Sequence, residues 1–356
     1  MTTLNPLAPD LDHVLDHTRN LWDELRGQQI FITGGTGFFG CWLLESFIWA
    51  NEKLNLDAHV TVLTRSPDAF RIKAPHLAGN QAVSLLRGDV RTFEFPDGTF
   101  SHIIHAATES SAQLNGENPL LMLDTIIEGT RHTLDFAKTC GAKKFLLTSS
   151  GAIYGKQPPE ITHIPEDYSG APDPLNPKSA YGQGKRIAEH LCVLYARETN
   201  IEMKIARCFA FVGPYLPLDA HFAIGNFIRD GLKGGPIVVK GDGTPYRSYL
   251  YAADLAIWLW TILFKGQSCR PYNVGSDESL SIKEVAERVA QTFIPPPSVQ
   301  ILNITNATKP IERYVPSIKQ VSSELQLYLL TSLQDAIKRT SVWNSSLIEG
   351  EVKWQK

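Results

Sequence analysis

A tyrosine and a lysine spaced four residues apart are the strongest chemical signal in this sequence. Tyr181 and Lys185 lie in the segment SAYGQGKRIAEHL (179–191), whose pattern predicts a helix with both side chains on one face. A phenol with a pKa of about 10 is a poor base at neutral pH, and a nearby ammonium group favours its phenolate. The pair could therefore exchange a proton with a substrate hydroxyl. The alternative is a Tyr–Lys pair on an exposed surface.

A glycine-rich segment near the start of the chain predicts a site for a cofactor that could act together with this proton transfer. The segment QQIFITGGTGFFGCWLLESF (28–47) is typical of a strand, a turn and a helix, with Gly34, Gly37 and Gly40 spaced as GxxGxxG. Gly34 would form the tight turn, Gly37 would admit a pyrophosphate, and Gly40 would let the helix pack on the strand. The alternative is a tight turn alone. Following a strand and opening a helix, the triplet predicts a dinucleotide site, so hydride transfer can accompany proton transfer.

Three further strand ends predict how that dinucleotide is held. The second strand ends at Thr64 without the acidic residue that would bind a ribose 2′-hydroxyl, and Arg65 follows it. Arg65 would suit a 2′-phosphate, which favours NADP over NAD, although a solvated arginine is the alternative. Asp89 in RGDV (87–90) would meet the adenine amino group, with a turn aspartate as the alternative. The small residues of IIHAAT (103–108) would let the cofactor lie close to the backbone.

Strand-like and helix-like segments alternate along the first two thirds of the chain, which predicts an α/β fold with a Rossmann-like, doubly wound parallel sheet. The predicted strands and helices are strand 28–33, helix 38–50, strands 59–64, 83–87 and 101–106, helix 119–140, strand 143–149, helix 179–199 and strand 203–209. Proline and glycine clusters after residue 210 indicate a smaller, irregular α+β lobe that binds substrate. The predicted division is an N-terminal helix (1–26, periodic over 10–26), a nucleotide-binding domain (27–212 and 248–275) and a substrate lobe (213–247 and 276–356).

The composition of the sequence limits the binding partners and the cellular compartment that we expect. A net charge of −3 without a basic run argues against nucleic acid or an anionic membrane surface. The N-terminus lacks the features of a secretory signal, and the apolar run 255–264 is too short to span a bilayer. The five cysteines are scattered, which is typical of reduced thiols in a cytoplasmic protein. His13 and His17 lack a third ligand, so no metal site is expected.

The ordered motifs resemble those of extended short-chain dehydrogenase/reductases (SDRs), specifically the nucleotide-sugar epimerase/dehydratase group. The resemblance covers roughly residues 28–345. It rests on TGGTGFFG (33–40), GDV (88–90), HAAT (105–108), SSGAIYG (149–155), YGQGK (181–185), RCFAFVGP (207–214), GNF (225–227), GDGTPYRSYLYAADLA (241–256) and YNVGS (272–276). The resemblance implies NAD(P) as cofactor, a nucleoside diphosphate sugar as substrate, and a homodimer formed by helices 119–140 and 179–199.

The resemblance also assigns site residues. Ser150 would hydrogen-bond the reacting sugar oxygen, Tyr181 would be the acid or base, and Lys185 would tune it. Asn226 and Arg247 would hold the sugar diphosphate, with Arg313 as a further candidate; an ion pair with Asp254 is the alternative for Arg247. The implied cofactor-binding residues are Gly34, Gly37, Phe38, Phe39, Arg65, Asp89, Val90, Ala106, Ala107, Thr108, Tyr181 and Lys185.

Departures from the group's pattern reduce the number of reactions that we expect this chain to catalyse. Dehydratases of the group carry Asp-Glu where this chain has Gly151 and Ala152, and UDP-glucuronate decarboxylases carry a glutamate in this region that is also missing. Ala210 replaces an asparagine that is usual in the group. The remaining chemistry is oxidation and reduction at hexose C4, as in a 4-epimerase or a 4-keto-6-deoxyhexose reductase. Two alternatives stay open: a 4,6-dehydratase using another acid or base, such as Glu109, and a non-catalytic protein that senses NADP.

Overall fold

The computed structural model describes residues 5–108, 112–220, 222–304 and 310–348. The strands are β1 (Gln29–Thr33), β2 (His59–Thr64), β3 (Val83–Arg87), β4 (His102–His105), β5 (Lys144–Ser150), β6 (Glu202–Cys208), β7 (Phe211–Val212), β8 (Ile237–Val239), β9 (Tyr246–Arg247), β10 (Leu250–Tyr251), β11 (Pro271–Val274), β12 (Leu280–Ser281), β13 (Val299–Ile301) and β14 (Arg313–Tyr314). The helices are α1 (Ala8–Thr18), α2 (Phe38–Leu54), α3 (Pro67–Lys73), α4 (Pro75–Ala78), α5 (Ala112–Glu117), α6 (Pro119–Thr139), α7 (Ala180–Glu198), α8 (Ala223–Leu232), α9 (Ala252–Lys265), α10 (Ile282–Ala290), α11 (Lys319–Leu325) and α12 (Leu333–Ile348).

Seven parallel strands form the central sheet, in the order β11-β6-β5-β4-β1-β2-β3. The chain runs outward from β1 to β3, then crosses back to β4 on the other side of β1. This reversal is the switch point at which open α/β sheets bind ligands, beyond the carboxyl ends of their strands. The predicted Rossmann-like fold is confirmed.

Both faces of the sheet are buried, which explains the uninterrupted apolar sequence of its strands. Along β1, Ile30 and Ile32 contribute to the core that includes α1, α2 and α9, whereas Phe31 contributes to the core that includes α6 and α7. Side chains alternate between the faces of a strand, so one apolar run serves both cores.

The N-terminal segment packs against the body of the protein. The helix predicted over residues 10–26 is in two pieces, because α1 gives way to a tighter 3₁₀ helix at Arg19–Leu25. This 3₁₀ turn carries the fully buried Trp22, whose indole N–H donates to Thr18 Oγ1 at 2.9 Å and whose ring lies 4.6 Å from that of Trp260. The carboxylate of Asp10 accepts a hydrogen bond of 2.6 Å from Tyr251 Oη.

The other strands form three small sheets, β10-β7, β12-β9-β14 and β13-β8. In the second sheet Arg247 is the cross-strand partner of Tyr314, and Tyr246 is the partner of Arg313. The predicted division into three parts stays a prediction, as does the cytoplasmic location. Within the described residues, the helices are too short or too polar to cross a membrane.

Candidate active site

A cleft of about 1120 Å³ lies at the switch point and joins the glycine-rich turn to the Tyr–Lys pair. Its walls come from the carboxyl ends of the central strands, the start of α2, the start of α7 and the small β12-β9-β14 sheet. The predicted site residues that line it are Gly34, Gly37, Phe38, Phe39, Arg65, Asp89, Val90, Ala106, Ala107, Thr108, Ser150, Tyr181, Lys185 and Arg247. The fold therefore gathers most of the predicted residues into one cavity.

The glycine-rich turn has the shape that a dinucleotide requires. Gly34 has φ +72°, and a Cβ there would lie 2.4 Å from the carbonyl oxygen of Ala106 at the end of the neighbouring strand. A Cβ on Gly40 would lie 2.3 Å from the backbone of Gly35. No side chain caps the first turn of α2, so its backbone N–H groups are left for an anion. These features fit the diphosphate of a nicotinamide dinucleotide.

The residues predicted to hold the adenosine line the same end of the cleft. Asp89 is bound by Arg91, whose Nε and Nη2 donate to its two carboxylate oxygens at 2.9 and 3.0 Å. These hydrogen bonds lower the pKa of Asp89, which stays ionised. Arg65 is exposed at the rim. The adenine contact of Asp89 stays a prediction, and Arg91 is a cleft residue that the sequence interpretation missed.

The opposite end of the cleft, where the Tyr–Lys pair lies, is built around the hydroxyl of Ser150. This residue ends β5 and is buried, and its Oγ accepts a hydrogen bond of 3.1 Å from the backbone N–H of Ala152. The side chains of Tyr181 and Tyr314 line the cleft with it, and Ser150 opposes the rise that burial causes in the pKa of each phenol. A substrate hydroxyl placed beside Ser150 would therefore meet Tyr181 as well.

Lys185 is held below the tyrosine and not in direct contact with its hydroxyl. Its ammonium group donates to Thr108 Oγ1 at 2.7 Å and to the carbonyl of Thr148 at 2.8 Å, and it lies 5.9 Å from the centre of the Tyr181 ring. Burial lowers the pKa of Lys185 to about 8. Burial also raises the pKa of Tyr181 to about 12, although the Ser150 hydrogen bond opposes the rise. The lowered phenol pKa expected from the Tyr–Lys spacing is therefore not found, because the phenol is buried and the ammonium group is held on Thr108 and Thr148.

A buried polar network fixes the strand and the helix that carry these groups. Ser149 donates to Glu189 on α7 at 2.5 Å, and Arg207 on β6 binds the same carboxylate at 2.9 Å. Arg207 also donates to the Tyr154 hydroxyl, which donates in turn to Asn273 on β11, each at 2.8 Å. The network thus connects β5, β6, β11 and α7 behind Ser150 and Tyr181, which limits how far the two hydroxyls can move apart.

Arg247 lies in the cleft as predicted. One of its guanidinium nitrogens donates to the backbone carbonyl of Tyr246 at 2.8 Å. The carboxylate of Asp254 instead accepts from the backbone N–H groups of Leu330 and Thr331, each at 3.0 Å. Asp254 is therefore a structural residue that holds the segment before α12. The predicted phosphate contact of Arg247 stays a prediction.

Two predicted substrate residues do not line the cleft. The Asn226 carboxamide donates to the carbonyl of Ala220 at 3.0 Å and accepts from Arg229 at 2.9 Å. The Arg313 guanidinium lies 4.3 Å from the centre of the Tyr246 ring. Neighbouring residues of a strand face opposite ways, so Tyr314 lines the cleft in place of Arg313.

The family was identified by comparison. The model of the "NAD dependent epimerase/dehydratase family" matches residues 30–275. The chain belongs to this family. UDP-glucuronic acid decarboxylase 6 of Arabidopsis thaliana is 30% identical over 324 residues, covering 91% of this chain and 89% of the relative. UDP-glucuronic acid decarboxylase 1 of Danio rerio is 29% identical over 329 residues, covering 92% and 75% of the two chains.

Solved structures support the same fold. UDP-glucuronic acid 4-epimerase from Bacillus cereus, in complex with NAD, superposes with a TM-score of 0.74 at 22% identity, over 92% of this chain and all of the other. The dTDP-glucose 4,6-dehydratase DesIV from Streptomyces venezuelae superposes with a TM-score of 0.74 at 21% identity, over 90% and 97% of the two chains. The predicted membership of the extended SDR enzymes is confirmed, and the family is NAD-dependent.

In this family member, position 151 has no space for an acidic side chain. A Cβ on Gly151 would lie 2.7 Å from the Phe209 ring and 2.8 Å from the Tyr314 hydroxyl. Among the described residues that line the cleft, Asp89 is the only carboxylate, and it lies at the nucleotide end. Glu109, the alternative acid, lies outside the described residues.

Proposed function

We propose that this enzyme transfers a hydride at C4 of the hexose in a nucleoside diphosphate sugar. The observation that carries the proposal is the Ser150–Tyr181–Lys185 group, together with the lack of a second acid among the described residues at that end of the cleft. Cationic side chains outnumber the single described carboxylate of the cleft, which suits a ligand with several phosphates. They are Arg65, Lys73, Arg91, Lys185 and Arg247.

Each of the three side chains has a different role in the proposed reaction at C4. A nicotinamide cofactor, when bound, supplies the hydride acceptor or donor. Ser150 donates a hydrogen bond to the C4 oxygen, and Tyr181 takes the proton of the C4 hydroxyl as the ketone forms, or returns it as the ketone is reduced. Lys185 supplies positive charge that stabilises the phenolate form of Tyr181.

The same groups serve either of two outcomes. In a 4-epimerase the ketone turns within the cleft and is reduced on its other face, so the cofactor is regenerated. In a 4-keto-6-deoxyhexose reductase the ketone is itself the substrate and one hydride is consumed. Neither outcome requires an acid beside Ser150, which agrees with the occupied space around Gly151.

Decarboxylation of a nucleotide uronic acid is the second candidate. It is favoured by the 30% identity to UDP-glucuronic acid decarboxylase 6 over most of both chains. Oxidation at C4 would make the C6 carboxylate a β-keto acid, so the Ser150–Tyr181–Lys185 group would serve its first step too. The two candidates differ in whether C6 is lost.

A panel of substrates separates the candidates. The purified enzyme is incubated with UDP-, dTDP-, GDP- and CDP-hexoses, their 4-keto-6-deoxy forms and UDP-glucuronic acid, with and without NAD(P)H. C4 inversion without added reductant indicates an epimerase, and product that requires stoichiometric NAD(P)H indicates a reductase. Release of CO₂ from UDP-glucuronic acid supports the second candidate. A 4-keto-6-deoxy product from an unmodified hexose would contradict both and indicate a 4,6-dehydratase.

Two further features complete the proposal. The cofactor is NADP in preference to NAD, because Arg65 follows β2 where an acidic residue would bind the 2′-hydroxyl. The enzyme is a homodimer through α6 and α7, which pack together and leave Leu120, Ile187 and Leu194 exposed. Binding of each cofactor and light scattering of the purified protein test these two statements.

A further inference from the structure

The loop that follows β7 forms part of the cleft wall and lies between two cavities. Leu216, which is buried, and Pro217 line the cleft. The same two residues also line a second cavity of about 320 Å³. A wall with a cavity on each side cannot be held by close packing alone. Specific contacts of the neighbouring residues must therefore fix its position.

The residues just before the loop contact α2, the helix that begins at the glycine-rich turn. Phe39, Trp42 and Glu45 are spaced three residues apart, so they are neighbours along one side of this helix. The Phe39 ring lies 5.0 Å from the Phe211 ring, edge to face. The Trp42 indole N–H donates to the carbonyl of Pro214 at 2.9 Å. The helix therefore fixes the point from which the loop begins.

The carboxylate of Glu45 connects the loop to three other segments of the chain. It is buried, and its Oε1 accepts a hydrogen bond of 2.6 Å from Tyr215 Oη and lies 2.7 Å from His76 Nε2. Its Oε2 accepts from the Asn5 carboxamide at 3.0 Å. The N-terminal segment, α2, α4 and the loop thus meet at one carboxylate. A buried carboxylate requires such donors, so its hydrogen bond with Tyr215 is a strong one.

Tyr215 has a backbone conformation that a tyrosine rarely adopts. Its φ is +70°, in the left-handed region that is unfavourable for a bulky side chain. Two contacts hold the side chain, because the hydroxyl binds Glu45 and the ring lies 5.1 Å from the Trp343 ring. Without the hydroxyl contact, residue 215 would be freer to return to a negative φ, and the backbone of Leu216 would turn with it. The conformation of Tyr215 therefore determines where Leu216 lies in the cleft wall.

We propose that Tyr215 is a positioning residue, whose hydrogen bond to Glu45 holds Leu216 and Pro217 against the substrate in the cleft. The proposal rests on the proposed function for the identity of that ligand, a nucleoside diphosphate sugar. The predicted cofactor-binding residues lie on other segments of the chain. The affinity for the cofactor should therefore not depend on this hydrogen bond.

The test compares two variants that each lose a phenol hydroxyl bound to a carboxylate. Tyr215→Phe removes the hydroxyl that binds Glu45. Tyr195→Phe is the matched control, because the half-buried Tyr195 donates to Asp135 at the same distance of 2.6 Å and does not line the cleft. Each protein is titrated with UDP, dTDP, GDP and CDP, and separately with NAD and NADP. Hydrogen exchange of segment 211–220, measured by mass spectrometry without ligand, reports how firmly the loop is held.

We expect Tyr215→Phe to bind the tightest of the four nucleoside diphosphates about fivefold more weakly, which corresponds to part of one lost apolar contact. Its affinity for NAD and NADP should be unchanged. Segment 211–220 should exchange about tenfold faster than in the wild type. Tyr195→Phe should destabilise the protein to a similar extent in denaturant unfolding, but should bind every ligand and exchange segment 211–220 as the wild type does.

If Tyr215→Phe bound every ligand as Tyr195→Phe does, the hydroxyl would only stabilise the fold, and the proposal would be overturned. Equal weakening of nucleoside diphosphates and cofactors would overturn it as well. If the wild type bound none of the four nucleoside diphosphates, the proposed function would fail. In that case faster exchange of segment 211–220 in Tyr215→Phe would still support the positioning role, and unchanged exchange would overturn it. Nucleoside diphosphate binding without C4 turnover would count against the proposed function alone.

Discussion

The two ends of the cleft are built in different ways. Much of the nucleotide end is backbone and small residues from short motifs, such as the Gly34–Gly37 turn and the Ala106–Ala107 strand end, to which Arg65, Asp89 and Arg91 add charge. The sugar end consists of large polar side chains from distant segments, among them Ser150, Tyr181 and Tyr314. In the proposed function, the first end holds the cofactor and the second carries the groups that react with the sugar. Four experiments test this difference.

The largest effect is expected at the sugar end, from Tyr181→Phe. Loss of the phenol removes the proton acceptor, and turnover should fall about a thousandfold while cofactor affinity stays unchanged. The matched control is Tyr195→Phe, which removes a hydroxyl from the same helix where it binds Asp135 at 2.6 Å, away from the cleft. Steady-state kinetics and cofactor titration provide the measurement. Turnover retained in Tyr181→Phe would remove this residue from the mechanism.

The nucleotide end should respond to Gly34→Ala in both stability and cofactor binding. The left-handed φ and a Cβ 2.4 Å from the Ala106 carbonyl together should lower the free energy of unfolding by about 3 kcal/mol. Gly27→Ala shares the left-handed φ but has open space around its Cβ, so we expect a loss of about 1 kcal/mol and normal cofactor affinity. Denaturant unfolding and cofactor titration compare the two. Equal behaviour of the variants would show that close approach at Gly34 is unimportant.

The buried ammonium of Lys185 predicts a pH dependence of stability. Its pKa is about 8 in the folded protein and 10.5 when unperturbed, so between these values the unfolded chain binds more protons. Stability attributable to this residue should therefore rise with pH, by about 1.4 kcal/mol per pH unit, and level off outside the window. The measurement is the difference in unfolding free energy between the wild type and Lys185→Met from pH 7 to 11. A constant difference would contradict the burial of a charged lysine.

The smallest effect is expected at the exposed rim, from Arg65→Ala. Loss of one exposed guanidinium should weaken NADP binding by about three- to tenfold, with NAD binding unchanged. Lys53→Ala, whose ammonium lies 4.7 Å from the Trp49 ring away from the cleft, controls for the general loss of one positive charge. Equal weakening of NAD and NADP by Arg65→Ala would remove the basis for an NADP preference.

Much of the fold and of the nucleotide end could be predicted from the sequence. The strand before Gly34, the turn and the helix after it form one continuous segment, so local sequence rules apply to it directly. Tyr181 and Lys185 could be paired for the same reason, since they are one helical turn apart. The positions of Asn226 and Arg313 could not, because their orientation depends on how the lobe after residue 210 packs against the sheet.

The pKa of Tyr181 illustrates the same limit. The spacing of the Tyr–Lys pair predicts a lowered pKa, but the structure places Lys185 on Thr108 and Thr148 and buries the phenol. Whether charge or burial dominates depends on distances and solvent access, neither of which is encoded in local spacing.

The sequence by itself determined the Rossmann-like sheet, the glycine-rich turn and the placing of Tyr181 and Lys185 on one helix, because each follows from periodicity or from residues within one or two turns of one another. Only the tertiary structure decided that Tyr314, and not Arg313, lines the cleft with Ser150. The choice depends on which face of the two-residue strand β14 is turned toward the cleft, and that is fixed by its pairing with β9 and by the Phe209 ring.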